Sequence, residues 1–186
     1  AYFSNIIKEE NVRMNKHVET ILETGQLENK DLELNRQPVN VHDLIQAVVD
    51  SYKLQLEEKP SNIHMQLDAK KPEITADEEH LLHVLSNLMD NAIKYSKEAI
   101  DILVSTANVN NKIIITVEDN GIGMSRDAQK KIFDKFYRIP TGNVHDVKGF
   151  GIGLYYARTI IVKHGGTLEL TPDIQTTFKI TLPYES

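Results

Sequence analysis

The sequence contains no cysteine, which excludes disulfides and thiol chemistry and fits a reducing compartment without proving one. It has no signal peptide and no apolar run near the roughly 20 residues that a membrane span needs. It also lacks a long basic run, and its net charge of -6 argues against nucleic acid as the main partner. What remains is an ordinary globular composition, at a length suited to one domain with an appendage or one larger domain.

The chain opens on a helical pattern from residue 1 to about 28, which starts without Met or a cap, so we expect a piece of a longer protein. Its apolar stripe needs another helix to bury it, either in a missing N-terminal part or in a second chain. A polar linker follows from Asn29 to Pro38.

The rest of the pattern alternates between helical and strand periods. We predict strands at 37–41, 63–67, 73–76, 100–107, 112–118, 167–171 and 176–182, helices at 42–58, 80–95, 125–133 and 152–163, a hairpin connection at 108–111 and a mobile loop at 136–149. These elements predict an α/β two-layer sandwich. Its sheet is mixed and largely antiparallel, helices cover one face, and one long N-terminal helix precedes it.

The central helix at 80–95 carries an apolar side, and Asn87, Asn91 and Lys94 line up opposite it. Taken alone, this pattern is typical of any solvated helix face. Asn91 could give Mg²⁺ the single amide oxygen that suffices when phosphates supply the other ligands. Lys94 could then neutralise phosphate charge, and Tyr95 could lie near the base or ribose.

Two glycine clusters follow, at 119–123 and 149–153. The second precedes a helix, so its backbone N–H groups and the helix dipole favour a phosphate chain. It is not the dinucleotide fingerprint, because Leu154 stands where a third glycine is required, and no Gly-Lys-Ser/Thr follows as in a Walker loop. An ordinary tight turn explains this motif about as well.

Asp119 ends a predicted strand, where the sheet opens, and glycines turn the chain beside it. A buried carboxylate there can accept a hydrogen bond from the adenine amine. Guanine presents an acceptor at that position, and such a mismatch gives discrimination on the order of 10⁴ at a buried site. The alternative is an acidic residue that caps a turn.

Five segments together resemble the N, first glycine, F and second glycine boxes of sensor histidine kinases: 87–95 (NLMDNAIKY), 118–124 (EDNGIGM), 132–138 (IFDKFYR), 149–154 (GFGIGL) and 164–167 (HGGT). Residues 176–183 resemble the closing strand of that family. The resemblance covers about residues 38–185. It implies the Bergerat ATP-binding fold, which is shared with gyrase, Hsp90 and mismatch-repair ATPases.

The resemblance divides the chain into residues 1–36, with the second helix of a dimerisation and phosphoacceptor hairpin plus a linker, and residues 37–186, the catalytic ATP-binding domain. The first hairpin helix, which would carry the phosphorylated histidine, is expected to be absent. His42 and His145 lack the His-Glu/Asp-Leu-Arg-x-Pro setting of that histidine. His80 and His83 lie three apart, but no acidic residue or cysteine completes a metal site.

By the same resemblance, Asn91 is the magnesium ligand, and Asn87, Lys94, Arg138 and Lys148 take part in phosphoryl transfer. Segment 133–148 closes as a lid, with Phe133 and Phe136 anchoring it by burying their rings. The residues expected to contact ATP are Asn87, Asn91, Lys94, Tyr95, Asp119, Gly121, Gly123, Gly149, Phe150, Gly151, Ile152, Gly153, Leu154 and Thr177.

The implied function is transfer of the γ-phosphoryl of Mg-ATP to a histidine on the absent helix. The implied partners are that helix, a response regulator and a second copy in a homodimeric parent. The implied location is cytoplasmic, as the soluble part of an inner-membrane sensor. One alternative is a gyrase- or Hsp90-like ATPase, but those enzymes place a glutamate base where Asn87 stands, and an amide cannot take a proton. Another is a non-catalytic ATP-binding regulatory module.

Overall fold

The computed structural model describes Gly25 and residues 33–56, 60–96, 99–139, 150–172 and 175–185. The elements in chain order are β1 (Gln37–Asn40), α1 (Val41–Gln55), β2 (Ser61–Leu67), β3 (Glu73–Ala76), α2 (Glu78–Lys94), β4 (Ile100–Val109), β5 (Lys112–Asp119), α3 (Arg126–Lys131), α4 (Gly153–Lys163), β6 (Thr167–Pro172) and β7 (Thr176–Pro183). Apart from Gly25, which is helical, the predicted long helix at 1–28 lies outside the described residues, as does most of the predicted loop. No helix among the described residues is long and apolar enough to span a bilayer.

The main sheet has five strands in the order β2-β4-β5-β7-β6. Strands β2 and β4 run parallel, and the other neighbouring pairs are antiparallel. Strands β1 and β3 form a separate antiparallel pair. The prediction of a mixed, largely antiparallel sheet is therefore confirmed, with the two short strands outside it.

Side chains alternate between the two faces of the main sheet, as the strand period requires. In β5, Ile113, Ile115, Val117 and Asp119 are buried, whereas the residues between them are half-buried. The buried positions of β4, β5 and β7 share one core with the inward faces of α1, α2 and α4. The helices therefore cover one face, as the sequence predicted.

The hairpin between β4 and β5 is tight because Asn110 and Asn111 take positive φ angles of 48° and 59°. Asparagine tolerates this left-handed conformation better than most residues, and two such residues in a row match the twist of the flanking strands. The hairpin sets the register that pairs Ile102 with Asp119. The other end of β5, at Asp119, therefore lies at the opposite end of the strands from the hairpin.

Helices α2 and α4 pack against each other and run antiparallel. At one end, Asn87 of α2 lies beside Gly153, the first residue of α4. At the other end, the main-chain N–H of Asp77, the N-cap of α2, donates to His164, the C-cap of α4. The turn after β5 contacts Tyr95 at the C-terminus of α2, so the residues that the sequence singled out lie along that half of α2.

The segment before β1 is fixed at the second end. The main-chain N–H of Asn35 donates to Asp77 Oδ2 at 2.8 Å, and Arg36 Nη2 donates to the Lys163 carbonyl at 2.8 Å. The described end of the predicted linker is therefore bonded to both helices, at the far end of the helix pair from Asn87.

Candidate functional site

Asp119 is the last residue of β5, and only 3% of it is exposed. Its Oδ1 accepts a hydrogen bond from the Gly121 main-chain N–H at 2.9 Å. Burial raises the pKa of this carboxyl group, while the hydrogen bonds from Gly121 and from the Thr176 hydroxyl act in the opposite direction. The result is a buried, oriented acceptor at the open edge of the sheet, as its position in the sequence predicted.

The turn after β5 packs against the end of α2. A Cβ on Gly121 would lie 2.5 Å from Asp119 Oδ1 and 2.6 Å from the Tyr95 carbonyl oxygen, so only glycine fits there. The Ile122 N–H donates to the same Tyr95 carbonyl at 3.1 Å. Gly123 has a φ of +72°, which permits the sharp turn. The first glycine cluster and the C-terminus of α2 therefore form one wall of the candidate site, beside Asp119.

Along α2, Asn87 and Asn91 are half-buried neighbours on one face. Asn91 Nδ2 donates to the Asn87 main-chain carbonyl at 2.8 Å, so the Asn91 amide oxygen is the atom turned away from the helix backbone. An amide oxygen is a ligand type that Mg²⁺ accepts. Within the described ranges, no group of three or more His, Cys, Asp or Glu could hold a metal ion. The Asn91 side chain therefore offers one oxygen ligand of a kind that this cation takes.

Lys94 and Tyr95 follow at the end of α2. The Lys94 Nζ lies 5.0 Å from the centroid of the Tyr95 ring. Burial and the positive charge of Arg138 lower the pKa of Lys94, and Asp90 opposes this. Burial also raises the pKa of the Tyr95 hydroxyl, against Arg138. A partly buried cation, Lys94, therefore lies within electrostatic reach of a second, exposed cation, Arg138, a setting that favours an anionic ligand.

The second glycine turn meets α2 and the segment after α3. A Cβ on Gly153 would lie 2.9 Å from Asn87 Oδ1. Gly151 has a φ of +71°, its carbonyl accepts from the Phe136 N–H at 3.0 Å, and a Cβ there would overlap the Tyr137 carbonyl. The start of α4 therefore lies close both to Asn87 and to the segment after α3.

Helix α4 begins without a side-chain cap, because its N-cap residue is Ile152. By contrast, Asn40, Asp77 and Ser125 cap α1, α2 and α3 with side-chain oxygens. No side chain caps the first N–H groups of α4, and the helix dipole gives them partial positive charge. These donors therefore suit a phosphate group.

One predicted contribution differs from the structure. The Phe136 ring is 62% exposed, so the expectation that it buries itself as an anchor is wrong; its backbone has a φ of +66° and bonds Gly151 instead. Phe133 is partly buried and packs edge-on against Phe178, with ring centroids 6.5 Å apart. Thr177 lies opposite Glu118 in the strand pairing, so the residue beside Asp119 is Thr176.

Thr176 is therefore a site residue that the sequence analysis missed. Phe178, Ile180 and Leu182 mark the buried face of β7 at every second position, and the same period reaches Thr176. Two other residues predicted to contact ATP lie nearer the surface: Phe150 is 54% exposed, and Leu154 is half-buried. Lys148, Gly149 and His145 lie outside the described residues.

Three described histidines, His42, His80 and His83, have structural partners. His80 Nδ1 lies 2.8 Å from the Tyr156 hydroxyl, and His42 Nε2 lies 2.9 Å from the Thr106 hydroxyl. His83 packs against the Tyr156 ring, with centroids 6.4 Å apart. These contacts give the three rings structural partners, and the expectation that none of them serves in chemistry stays a prediction.

The model for one ATPase family, described as histidine kinase-, DNA gyrase B- and HSP90-like ATPase, matches residues 76–186. The chain belongs to this family. The matched residues contain α2, both glycine turns and the closing strands, which are the parts that build the site. The fold and the boxes recognised in the sequence therefore have one common explanation.

Individual known proteins match nearly the whole chain. The sensor protein RprX of Bacteroides fragilis is 40% identical over 186 residues, which cover 98% of this chain and 36% of RprX. The structure of full-length ShkA in complex with AMPPNP matches with a TM-score of 0.84 at 24% identity. The match covers 98% of this chain and 38% of the ShkA chain. Histidine kinase ThkA in complex with the response regulator protein TrrA has a TM-score of 0.77 at 24% identity, with coverages of 98% and 50%. The chain thus spans 36% of the length of its relative RprX.

Proposed function

We propose that this chain is the ATP-binding catalytic part of a two-component sensor histidine kinase. Residues 37–186 form the catalytic domain, and residues 1–36 contain one helix of the dimerisation and phosphoacceptor hairpin with its linker. Membership of the ATPase family and the sequence similarity to a sensor protein support this assignment. The substrate is Mg-ATP, and the acceptor is a histidine side chain on another helix of the parent protein.

The observation that carries the proposal is the buried Asp119 carboxylate. It is oriented by the Gly121 N–H and the Thr176 hydroxyl, and it faces the wall formed by the end of α2. Such an acceptor pairs with the exocyclic amine of adenine and opposes the carbonyl of guanine. Specificity for ATP over GTP therefore follows from one side chain.

With the base at Asp119, we place the phosphate chain along the side of α2 that carries Asn91 and Lys94. Asn91 holds Mg²⁺ through its amide oxygen, and the cation supplies positive charge at the phosphate oxygens when bound. Lys94 and Arg138 add two more positive charges, and the uncapped start of α4 adds backbone donors. Lys148 and Gly149 belong to the same proposal from the segment outside the described residues.

Phosphoryl transfer needs positioning and charge neutralisation more than covalent chemistry from the protein. The residues proposed for this step are Asn87, Lys94, Arg138 and Lys148. Asn87 lies against Gly153, where it fixes the distance between α2 and α4. A hydrolase of the gyrase or Hsp90 type requires a general base at the position of Asn87, and an amide side chain cannot act as a general base. Transfer to a histidine is therefore favoured over hydrolysis.

The partners follow from this assignment. They are the phosphoacceptor helix of the parent kinase, a second copy of the parent in a homodimer, and a response regulator that takes the phosphoryl group from the histidine. The complex of ThkA with TrrA is an example of such a pair in a protein of the same fold. We place the catalytic part in the cytoplasm, with the parent at the inner membrane.

Two measurements test the proposal. Calorimetric titration should show Mg-dependent binding of ATP and at least tenfold weaker binding of GTP. The chain is then mixed with γ-labelled ATP and a separate hairpin that carries the phosphoacceptor histidine. Acid-labile label should appear on the hairpin and not on the chain itself. Equal affinity for the two nucleotides, or label that ends only as free phosphate, would refute the proposal.

A further inference from the structure

Tyr52 places a hydroxyl group inside the protein, outside every box of the proposed nucleotide site. It lies on α1, where 6% of it is exposed. Its hydroxyl donates to Asp90 Oδ1 at 2.6 Å and lies 3.1 Å from the Ser86 carbonyl oxygen. A phenol has one proton, and the short distance assigns it to the carboxylate. Burial and the Asp90 charge both raise the pKa of Tyr52, so the hydroxyl stays a donor.

Asp90 connects this hydroxyl to the site. Ser86, Asp90 and Lys94 are spaced by four along α2, so they form one row on its surface, beside the row of Asn87 and Asn91. An acidic residue four positions before a basic one is the favourable order in a helix. The row therefore runs from the contact with α1 to the ammonium group proposed to bind phosphate.

Lys94 needs such support because its surroundings act against it. Partial burial and the positive charge of Arg138 disfavour its ammonium form, and the negative charge of Asp90 opposes them. A carboxylate held at one oxygen by a buried phenol cannot turn freely away from its neighbour. Without that bond, Asp90 gains rotational freedom, and the long Lys94 side chain loses a fixed counter-charge.

We propose that Tyr52 is a positioning residue for the phosphate-binding Lys94 and acts through the Asp90 carboxylate. This inference rests on the proposed nucleotide function. It extends the site to α1, an element that carries none of the recognised motifs. It also predicts that the effect of Tyr52 is confined to the phosphate end of the ligand, because Asp119 binds the base at the other end.

The first test compares two ligands on Tyr52→Phe, which removes the hydroxyl and keeps the ring. Affinity for Mg-ATP should fall roughly three- to tenfold, while affinity for adenosine, which has no phosphate, should stay within about twofold. The matched control is Tyr184→Phe. Its hydroxyl accepts from Asn108 Nδ2 at 2.6 Å, at the hairpin end of the sheet. That variant should leave both affinities unchanged.

The second test is a double-mutant cycle with Lys94→Ala. If Tyr52 acts through Lys94, then Tyr52→Phe should weaken Mg-ATP binding by less than about twofold once Lys94 is alanine. An equal loss in both backgrounds, or an equal loss for adenosine and ATP, would mean that Tyr52 merely stabilises the fold, and the inference is then wrong. If the unchanged protein binds neither ligand, the proposed function itself fails.

Asp90→Asn gives an independent answer if Tyr52→Phe does not fold. The amide keeps one acceptor oxygen for the Tyr52 hydroxyl, removes the charge and replaces the second oxygen with an NH₂ group. Loss of a negative charge near a polyphosphate should by itself strengthen binding. We expect Mg-ATP affinity to fall nonetheless, relative to adenosine, and the loss to vanish in Lys94→Ala. Unchanged or tighter ATP binding by Asp90→Asn would overturn the inference.

Discussion

The main-chain N–H of Asp77 donates to Nε2 of His164 at 2.9 Å, and Nδ1 of the same ring donates to the Ile160 carbonyl at 2.8 Å. A ring nitrogen that accepts an amide proton cannot itself be protonated, so His164 is held as the neutral tautomer with its proton on Nδ1. Only 1% of the residue is exposed. This ring joins the start of α2 to the end of α4.

Folding stability should therefore depend on pH through His164. Burial lowers the pKa of His164 below its ordinary value of 6.5, and nearby Arg36 and His80 act in the same direction, against Asp77 and the Ile160 carbonyl. The unfolded chain then binds the proton more readily, so the stabilisation is complete above pH 6.5 and is lost as the pH falls through and below 6.5. Urea unfolding between pH 8 and 5 should show this slope.

Two variants isolate that effect. His164→Leu leaves the Asp77 N–H without its acceptor and should cost about 1–3 kcal/mol at pH 8, with a weaker pH slope. His64→Gln changes an exposed histidine on β2 and should preserve the slope of the unchanged protein. If His164→Leu unfolds with the same pH dependence as the starting protein, another group causes it.

Gly151 and Gly123 form a natural comparison of two glycines with positive φ, +71° and +72°. Alanine at either position should cost roughly 1–2 kcal/mol for the left-handed backbone. At Gly151 the new Cβ would also overlap the Tyr137 carbonyl, whereas at Gly123 it meets nothing within 4 Å. We therefore expect Gly151→Ala to be the more destabilised in urea. Equal midpoints would show that the contact with Tyr137 can relax freely.

The sequence predicted most of the fold because hydrophobic periods and turn residues are local signals. The apolar stripe of α2 and the alternation in β5 were both recognised. The separate pairing of β1 with β3 was not predictable in this way. It depends on contacts between segments more than 30 residues apart, and four-residue strands carry too little pattern to specify a partner.

A site residue was predictable from the sequence where its residue type has a single chemical explanation at that position. Asp119 at a strand end beside glycines is such a case, and its burial agrees with the prediction. Thr176 was missed because the resemblance identified a pair of threonines, and only the strand register chooses between them. Phe136 was expected to be buried because the resemblance made it an anchor of the lid. Instead, the residue takes a positive φ, its N–H bonds the Gly151 carbonyl, and its ring is exposed.

Asp119→Asn should weaken ATP binding strongly. The amide can present an NH₂ group where the adenine amine needs an acceptor, so the affinity for ATP should fall on the order of 10- to 100-fold, and the preference over GTP should shrink. Asp101→Asn, an exposed carboxylate at the start of β4, serves as the control and should change neither. Competition titrations with both nucleotides measure the two effects, and an unchanged ATP-to-GTP ratio would contradict the role of Asp119.

Asn91→Ala should remove the dependence of ATP binding on magnesium. Asn91 offers the amide oxygen, and its Nδ2 bond to the Asn87 carbonyl fixes the orientation of that oxygen. Without this ligand, the affinity for ATP with Mg²⁺ should approach the affinity measured with a chelator, while adenosine binding stays unchanged, because the base contacts lie at Asp119. Asn62→Ala, on an exposed position of β2, should retain the full magnesium effect. If Asn91→Ala retains it as well, the cation is held by groups other than the Asn91 amide.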